Sequence, residues 1–66
     1  MNMIITFISG KFIKTGDTSL DAANALLKFM QEGKPDDTAT LRYGIDNKGV
    51  IVFARKEVST FSYMED

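Results

Sequence analysis

The side chains that most enzymes use for proton transfer or nucleophilic attack near neutral pH are missing from this sequence. It contains no histidine and no cysteine, so neither a histidine-based triad nor a thiol nucleophile can be assembled. A serine activated by a lysine would need the Ser-x-x-Lys spacing, which does not occur in the chain. We therefore predict a protein that is not an enzyme and has no catalytic residues.

The positions of the carboxylates are those of a helix start and a loop. Asp17 and Asp21 stand four positions apart at a predicted helix start, where negative charge complements the helix dipole. Asp36 and Asp37 fall in a predicted loop, and a hard cation would need several converging oxygen ligands. The Gly-Lys pair at 10–11 lacks the earlier glycine and the following Ser or Thr of a phosphate-binding loop. We predict no metal and no cofactor.

Net charge is sorted along the chain in a way that supports one alternative function. Segments 1–16 and 38–56 carry +2 and +3, whereas 17–37 and 57–66 each carry −3. Segments 1–16 and 38–56 are predicted to form strands, so the predicted sheet is basic, whereas the helix and the tail are acidic. Lys and Arg on strand edges also deter aggregation, which explains the same pattern without a ligand.

A basic sheet that also presents aromatic rings could stack single-stranded bases. Tyr43, Phe53 and Phe61 are the rings that the predicted strands offer for this. Single-stranded nucleic-acid binding is therefore the alternative function, with candidate contacts Lys11, Arg42, Tyr43, Arg55 and Lys56.

The elements that position these side chains begin with a β-rich segment and a helix. Residues 4–15 are rich in β-branched and aromatic side chains, and a Ser-Gly turn at 9–10 predicts strands 3–8 and 11–15 in a hairpin. One long strand with a bulge at Gly10 is the competing interpretation. Apolar residues at steps of three and four predict a helix over 19–32.

The helix boundaries follow from local signals, and a second hairpin follows the helix. Thr18 with Asp21 three positions later predicts the N-terminal cap, and Gly33 followed by Pro35 predicts the end. Strands 38–45 and 49–56 are predicted around a turn at 46–49 that closes on a left-handed residue. Gly44 indicates a bulge or a close backbone approach.

The predicted fold class is α+β, a small antiparallel sheet in the order β-β-α-β-β with one helix packed on one face. Residues 57–63 can add a fifth, edge strand, and 64–66 should fray. The expected core consists of Ile5, Phe7, Leu20, Ala23, Leu26, Leu27, Met30, Leu41, Ile51 and Phe53.

The strands carry more apolar surface than one helix can cover. Residues 50–54 are apolar at every position, whereas a strand covered on one face should alternate. A helix over 19–32 is about 21 Å long and shields one side of the sheet. Uncovered apolar patches usually mark interaction sites, so the candidate interface consists of Ile4, Ile8, Phe12, Val50 and Val52.

A chain of 66 residues forms one domain, 1–66, and has no cysteine for disulfides. Oligomerisation is then the obvious further source of stability. No stretch approaches the ~20 apolar residues of a membrane span, so we expect a soluble, cytoplasmic protein with no membrane partner.

The size, the absence of Cys and His, and the sheet-helix-sheet layout are similar to those of short accessory proteins of phages and conjugative elements. That resemblance rests on no motif and implies no site residues. The predicted function is a non-enzymatic protein-interaction or small regulatory module. We expect it to be a homo-oligomer through the sheet face or an edge strand, or to bind another protein.

Overall fold

A computed structural model describes residues 1–64 of the chain, and it confirms the α+β class. One helix and five strands are joined by short loops, and all strand pairs are antiparallel. The predicted fraying of the tail falls partly on 65–66, which lie outside the described residues. In chain order the elements are β1 (Met3–Phe7), β2 (Phe12–Lys14), α1 (Leu20–Glu32), β3 (Thr38–Tyr43), β4 (Gly49–Ala54), a 3₁₀ turn (Arg55–Glu57) and β5 (Val58–Tyr63).

The strands divide between two sheets instead of forming one continuous sheet. β1 is the central strand of the first sheet, in the order β2-β1-β5, and β3 and β4 form a separate hairpin. The two sheets touch where the Gly44 N–H donates to the Lys14 carbonyl at 2.9 Å. Gly44 has a φ of 93°, a conformation that favours glycine, whereas an added Cβ there would meet only Asp46 Oδ1 at 3.7 Å, so backbone conformation and not a close approach accounts for this glycine.

Residues 3–15 form a hairpin, which excludes the long bulged strand. Ile5 lies opposite Ile13, and the Phe7 N–H donates to the Lys11 carbonyl at 2.8 Å to close the turn. Gly10 has a φ of 92°, a conformation that glycine adopts without steric cost. The strands are shorter than predicted because Ile8 already belongs to this turn.

The helix begins one residue later than its predicted cap implied. Ser19 is the N-cap, and its hydroxyl accepts a hydrogen bond from the Ala22 N–H. The predicted cap, Thr18, instead donates its hydroxyl to the Met1 carbonyl. The helix ends at Gly33 as predicted, but with a φ of −68° instead of a left-handed conformation.

The second hairpin also differs from its prediction at the turn. The left-handed positions are Gly44 and Asn47, with φ 93° and 57°, while Gly49 is not among them. The Asn47 side chain explains its own conformation, because its Oδ1 accepts from the Gly16 N–H and its Nδ2 donates to the Asp17 carbonyl. The turn is thereby fixed to the segment that precedes the helix.

The core lies where β1, α1 and the second hairpin meet. Five of the ten expected core residues are buried, namely Ile5, Phe7, Ala23, Leu26 and Phe53. Met30, Leu41 and Ile51 are partly buried and pack against them. The sequence prediction omitted Met3 and Val58, which are 1% and 8% exposed.

The expectation for Leu20 was wrong, since this side chain is 43% exposed. Leu27 is half-buried and lies outside the core cluster. The reason is that the buried stripe of α1 is turned towards Phe29, whose ring packs edge-on against Phe53 at 6.2 Å. Leu20, at the first helical position, therefore lies off the covered face.

Thr15 is a buried polar residue that the sequence prediction missed. It is 2% exposed, and its hydroxyl accepts the Met3 N–H at 2.9 Å while its own N–H donates to the Met3 carbonyl. The side chain thus completes the β1-β2 ladder at the end where β2 stops. Without this hydroxyl, the buried Met3 N–H has no acceptor.

We expect Thr15→Val to lower the free energy of unfolding by about 1–3 kcal/mol, because it leaves the buried Met3 N–H unsatisfied. Thr15→Ser is the matched control, since it keeps the acceptor and removes one methyl group, at a cost of about 0.8 kcal/mol. Urea denaturation of both variants measures the difference. If valine is tolerated as well as serine, the hydroxyl does not complete the ladder.

Candidate interaction surface

All five residues of the candidate interface are exposed, but they belong to two different sheets. Val50 and Val52 lie on the outer face of β4 with 53% and 63% of their surface exposed. Ile4 and Phe12 lie on the outer face of the β2-β1-β5 sheet, and Ile8 lies in the turn beside it. The structure therefore presents two apolar patches instead of one uncovered sheet face.

The free edge of β4 can be identified from the register of the second hairpin. The Arg55 N–H donates to the Asp37 carbonyl at 2.8 Å, so that pair is hydrogen-bonded across the strands. Bonded and non-bonded pairs alternate along an antiparallel ladder. The residues of β4 that bond to β3 are therefore Gly49, Ile51 and Phe53.

The N–H and C=O groups of Val50 and Val52 consequently point away from β3. Among residues 1–64 no other strand pairs with β4, so these four backbone groups have no strand partner there. β4 contains no charged residue and no proline. Proteins usually protect edge strands with such residues, and β4 has neither.

The far end of this edge is closed by a side chain. The Ala54 N–H, the next outward-pointing donor, donates to Glu57 Oε1 at 3.1 Å. Glu57 is exposed and lies in the 3₁₀ turn that links β4 to β5. The open part of the edge is therefore limited to the stretch around Val50 and Val52.

The patch on the first sheet is mixed with polar groups. Ile4 lies between Lys14 and Ser62 on the neighbouring strands, and Phe12 lies opposite Thr6. The apolar side chains are thus separated by polar ones on the same face. On β4, Val50 and Val52 are successive outward positions of one strand, with Arg42 and Thr40 opposite them on β3.

The candidate nucleic-acid contacts do not converge on one surface. Arg42 is exposed on the outer face of β3, whereas Tyr43, the next residue, lies half-buried over Gly49 on the opposite face. Phe53 is 3% exposed and cannot receive a base, and Phe61 is half-buried. Lys11 stands apart in the first hairpin turn.

Two of the candidate cations are engaged within the fold. Arg55 Nε donates to the Met30 carbonyl near the end of α1 at 2.8 Å. Lys56 Nζ lies 2.9 Å from Asp36 Oδ1 on the surface. The Arg55 contact connects the helix to the 3₁₀ turn, whereas exposed pairs such as the Lys56 pair contribute little to stability.

One of the two acidic residues at the helix start, Asp17, also has a structural partner. The Met1 amino group donates to the Asp17 carboxylate, and this hydrogen bond together with the positive charge lowers the pKa of that carboxyl. Asp21 lies in the first turn of α1.

Within residues 1–64 no three potential metal ligands come together, and no helix there has the length and apolar character that crossing a membrane requires.

No protein-family model matches the chain, and neither the curated proteins nor the solved structures contain a significant match. The class defined by the fold and the surface is thus a small α+β domain with an open, uncharged edge strand.

We expect Arg55→Ala to lower the free energy of unfolding by about 1–2 kcal/mol, because the Met30 carbonyl loses a charged donor. Arg42→Ala is the control, since the Arg42 side chain is exposed and should change stability by no more than about 0.5 kcal/mol. Thermal or urea unfolding compares the two variants. Equal effects would contradict a structural role for Arg55.

Proposed function

We propose that the protein is a non-enzymatic interaction module that self-associates by pairing β4 with β4 of a second copy. The observation that carries this proposal is the open backbone of Val50 and Val52 on a strand without charge. A second copy supplies an identical edge, and a two-fold axis lets each edge satisfy the other. The result is a four-stranded sheet in the order β3-β4-β4-β3.

The register of this pair follows from which groups are open. In an antiparallel arrangement Val50 of one copy faces Val52 of the other, and each such pair exchanges two N–H···O bonds. The two-fold axis then passes between the Ile51 residues. The four valine side chains come together on the outer face, where each copy alone leaves them exposed.

The size of this interface sets its strength. One strand pair buries less surface than a standard stable interface, so we expect a concentration-dependent equilibrium. Glu57 limits the pairing, because its carboxylate already accepts the Ala54 N–H. Apolar association should hold or strengthen with added salt, whereas nucleic-acid binding should weaken.

The cellular setting completes the proposal. We expect a cytoplasmic location, because the chain has no cysteine with which to form the disulfides that stabilise small secreted domains. An accessory protein of a phage or mobile element is consistent with its size.

Docking of β4 onto an edge strand of another protein would use the same open groups.

We expect Val52→Lys to shift self-association to higher concentration while the protomer stays folded, because it places two like charges in the paired edge. Thr40→Lys is the matched control, since Thr40 lies opposite Val52 on the same face but one strand away from the pairing edge. Sedimentation velocity over a concentration series measures both. The proposal fails if the wild-type protein stays monomeric throughout, or if both variants behave alike.

Val52→Pro tests the backbone and not the side chain. Because the Val52 N–H points away from β3, proline removes an open donor without breaking the hairpin, and edge positions tolerate it. Val52→Thr keeps that donor while reducing apolar surface. We expect proline to abolish association and threonine to weaken it. Loss with threonine but not with proline would indicate association through the sheet face.

A further inference from the structure

A groove lies on the opposite side of the second hairpin, between β3 and α1. Its volume is about 310 Å³, and its walls are mostly small or apolar side chains. The main lining residues are Ala22, Ala25, Leu26, Phe29, Ala39 and Leu41.

Small side chains keep this groove open. Ala22 and Ala25 are exposed on the face of α1 that borders the groove, and Ala39 faces them from β3. Larger side chains at these positions would fill the space between helix and strand. Leu26 and Leu41 give the groove an apolar lining.

The wall formed by β3 also carries open backbone groups. The register that points Val50 and Val52 away from β3 likewise points the N–H and C=O groups of Thr40 and Arg42 away from β4. The Gly44 N–H, next in this series, donates to the Lys14 carbonyl, so the outward side of β3 is the side of β2 and the groove. Among residues 1–64, β3 pairs as a strand with β4 alone.

We propose that this groove binds an extended peptide segment of another protein as a strand added to β3. An open strand edge beside an apolar groove fits an extended chain, because main-chain bonds hold it and pockets accept alternate side chains. Side chains of the added strand that share the face of Ala39 and Leu41 enter the groove. This site does not depend on the β4 edge and would persist if self-association fails.

The charge on the outer face of β3 predicts which side chains the bound peptide carries at its outward-pointing positions. Side chains that point outward from the added strand lie beside Thr40 and Arg42. Arg42 is exposed and forms no ion pair with any residue from 1 to 64. An acidic side chain next to it forms a favourable cross-strand pair. The peptide therefore alternates apolar side chains with polar ones, one of them acidic.

A displayed library of fully randomised heptapeptides is the probe. We expect selection on the folded protein to enrich alternating apolar and polar sequences that contain an acidic residue. A synthetic version of an enriched peptide should bind Ala25→Leu about tenfold or more weakly, because the added side chain fills the groove. Gln31→Leu is the matched control, since it adds the same side chain to an exposed position on the far side of α1 and should bind like wild type.

The specificity is tested with Arg42→Glu, which should prefer the peptide in which lysine replaces the acidic residue. Ala22→Leu replaces Ala25→Leu if circular dichroism shows that the latter does not fold. No enrichment, equal binding by Ala25→Leu and Gln31→Leu, or an unchanged charge preference would each overturn the proposal. Peptide binding and oligomeric state are separate measurements, so failure of one proposal is distinguishable from failure of the other.

Discussion

The fold depends on the burial of β1 between two neighbouring strands. Met3, Ile5 and Phe7 of this strand face the core, and its backbone pairs on one side with β2 and on the other with β5. Phe7 contacts Phe53 edge-on at 5.5 Å, which attaches the separate β3-β4 hairpin to the first sheet. Since β1 is both the centre of a sheet and part of the packing surface for the hairpin, its side chains determine where every other element can lie.

The size of the helix determines what this arrangement leaves open. α1 has 13 residues and covers one side of the core, between β5 and β3. The hairpin therefore keeps two edges with different surroundings. β4 has an uncharged edge, to which we assign the proposed pairing with a second copy, whereas β3 borders a groove, to which we assign the proposed peptide. Both proposals depend on the same limit, because a domain of this size has too few helices and strands to cover every strand edge.

Local patterns in the sequence were sufficient to predict the helix, the hairpins and the exposure of the five candidate interface residues. The Ser-Gly turn, the helix period and the apolar run at 50–54 act over a few residues, so their consequences could be predicted. The burial of Thr15 could not, because it depends on where β2 ends relative to Met3. The exposure of Leu20 and the division into two sheets likewise result from tertiary packing. The register of the second hairpin decides whether the N–H and C=O groups of Val50 or those of Ile51 point away from β3. An unbroken apolar run does not encode that register.

The pairing of β1 with β5 joins the first and the last strand within residues 1–64. During synthesis, the N-terminal hairpin and the helix emerge while this neighbour is still missing. Loop-closure entropy opposes contacts so distant in sequence, and the edge of β1 that pairs with β5 has no strand partner until then. The first sheet is therefore complete only after β5 has been translated, and until then the unpaired edge of β1 can pair with other chains.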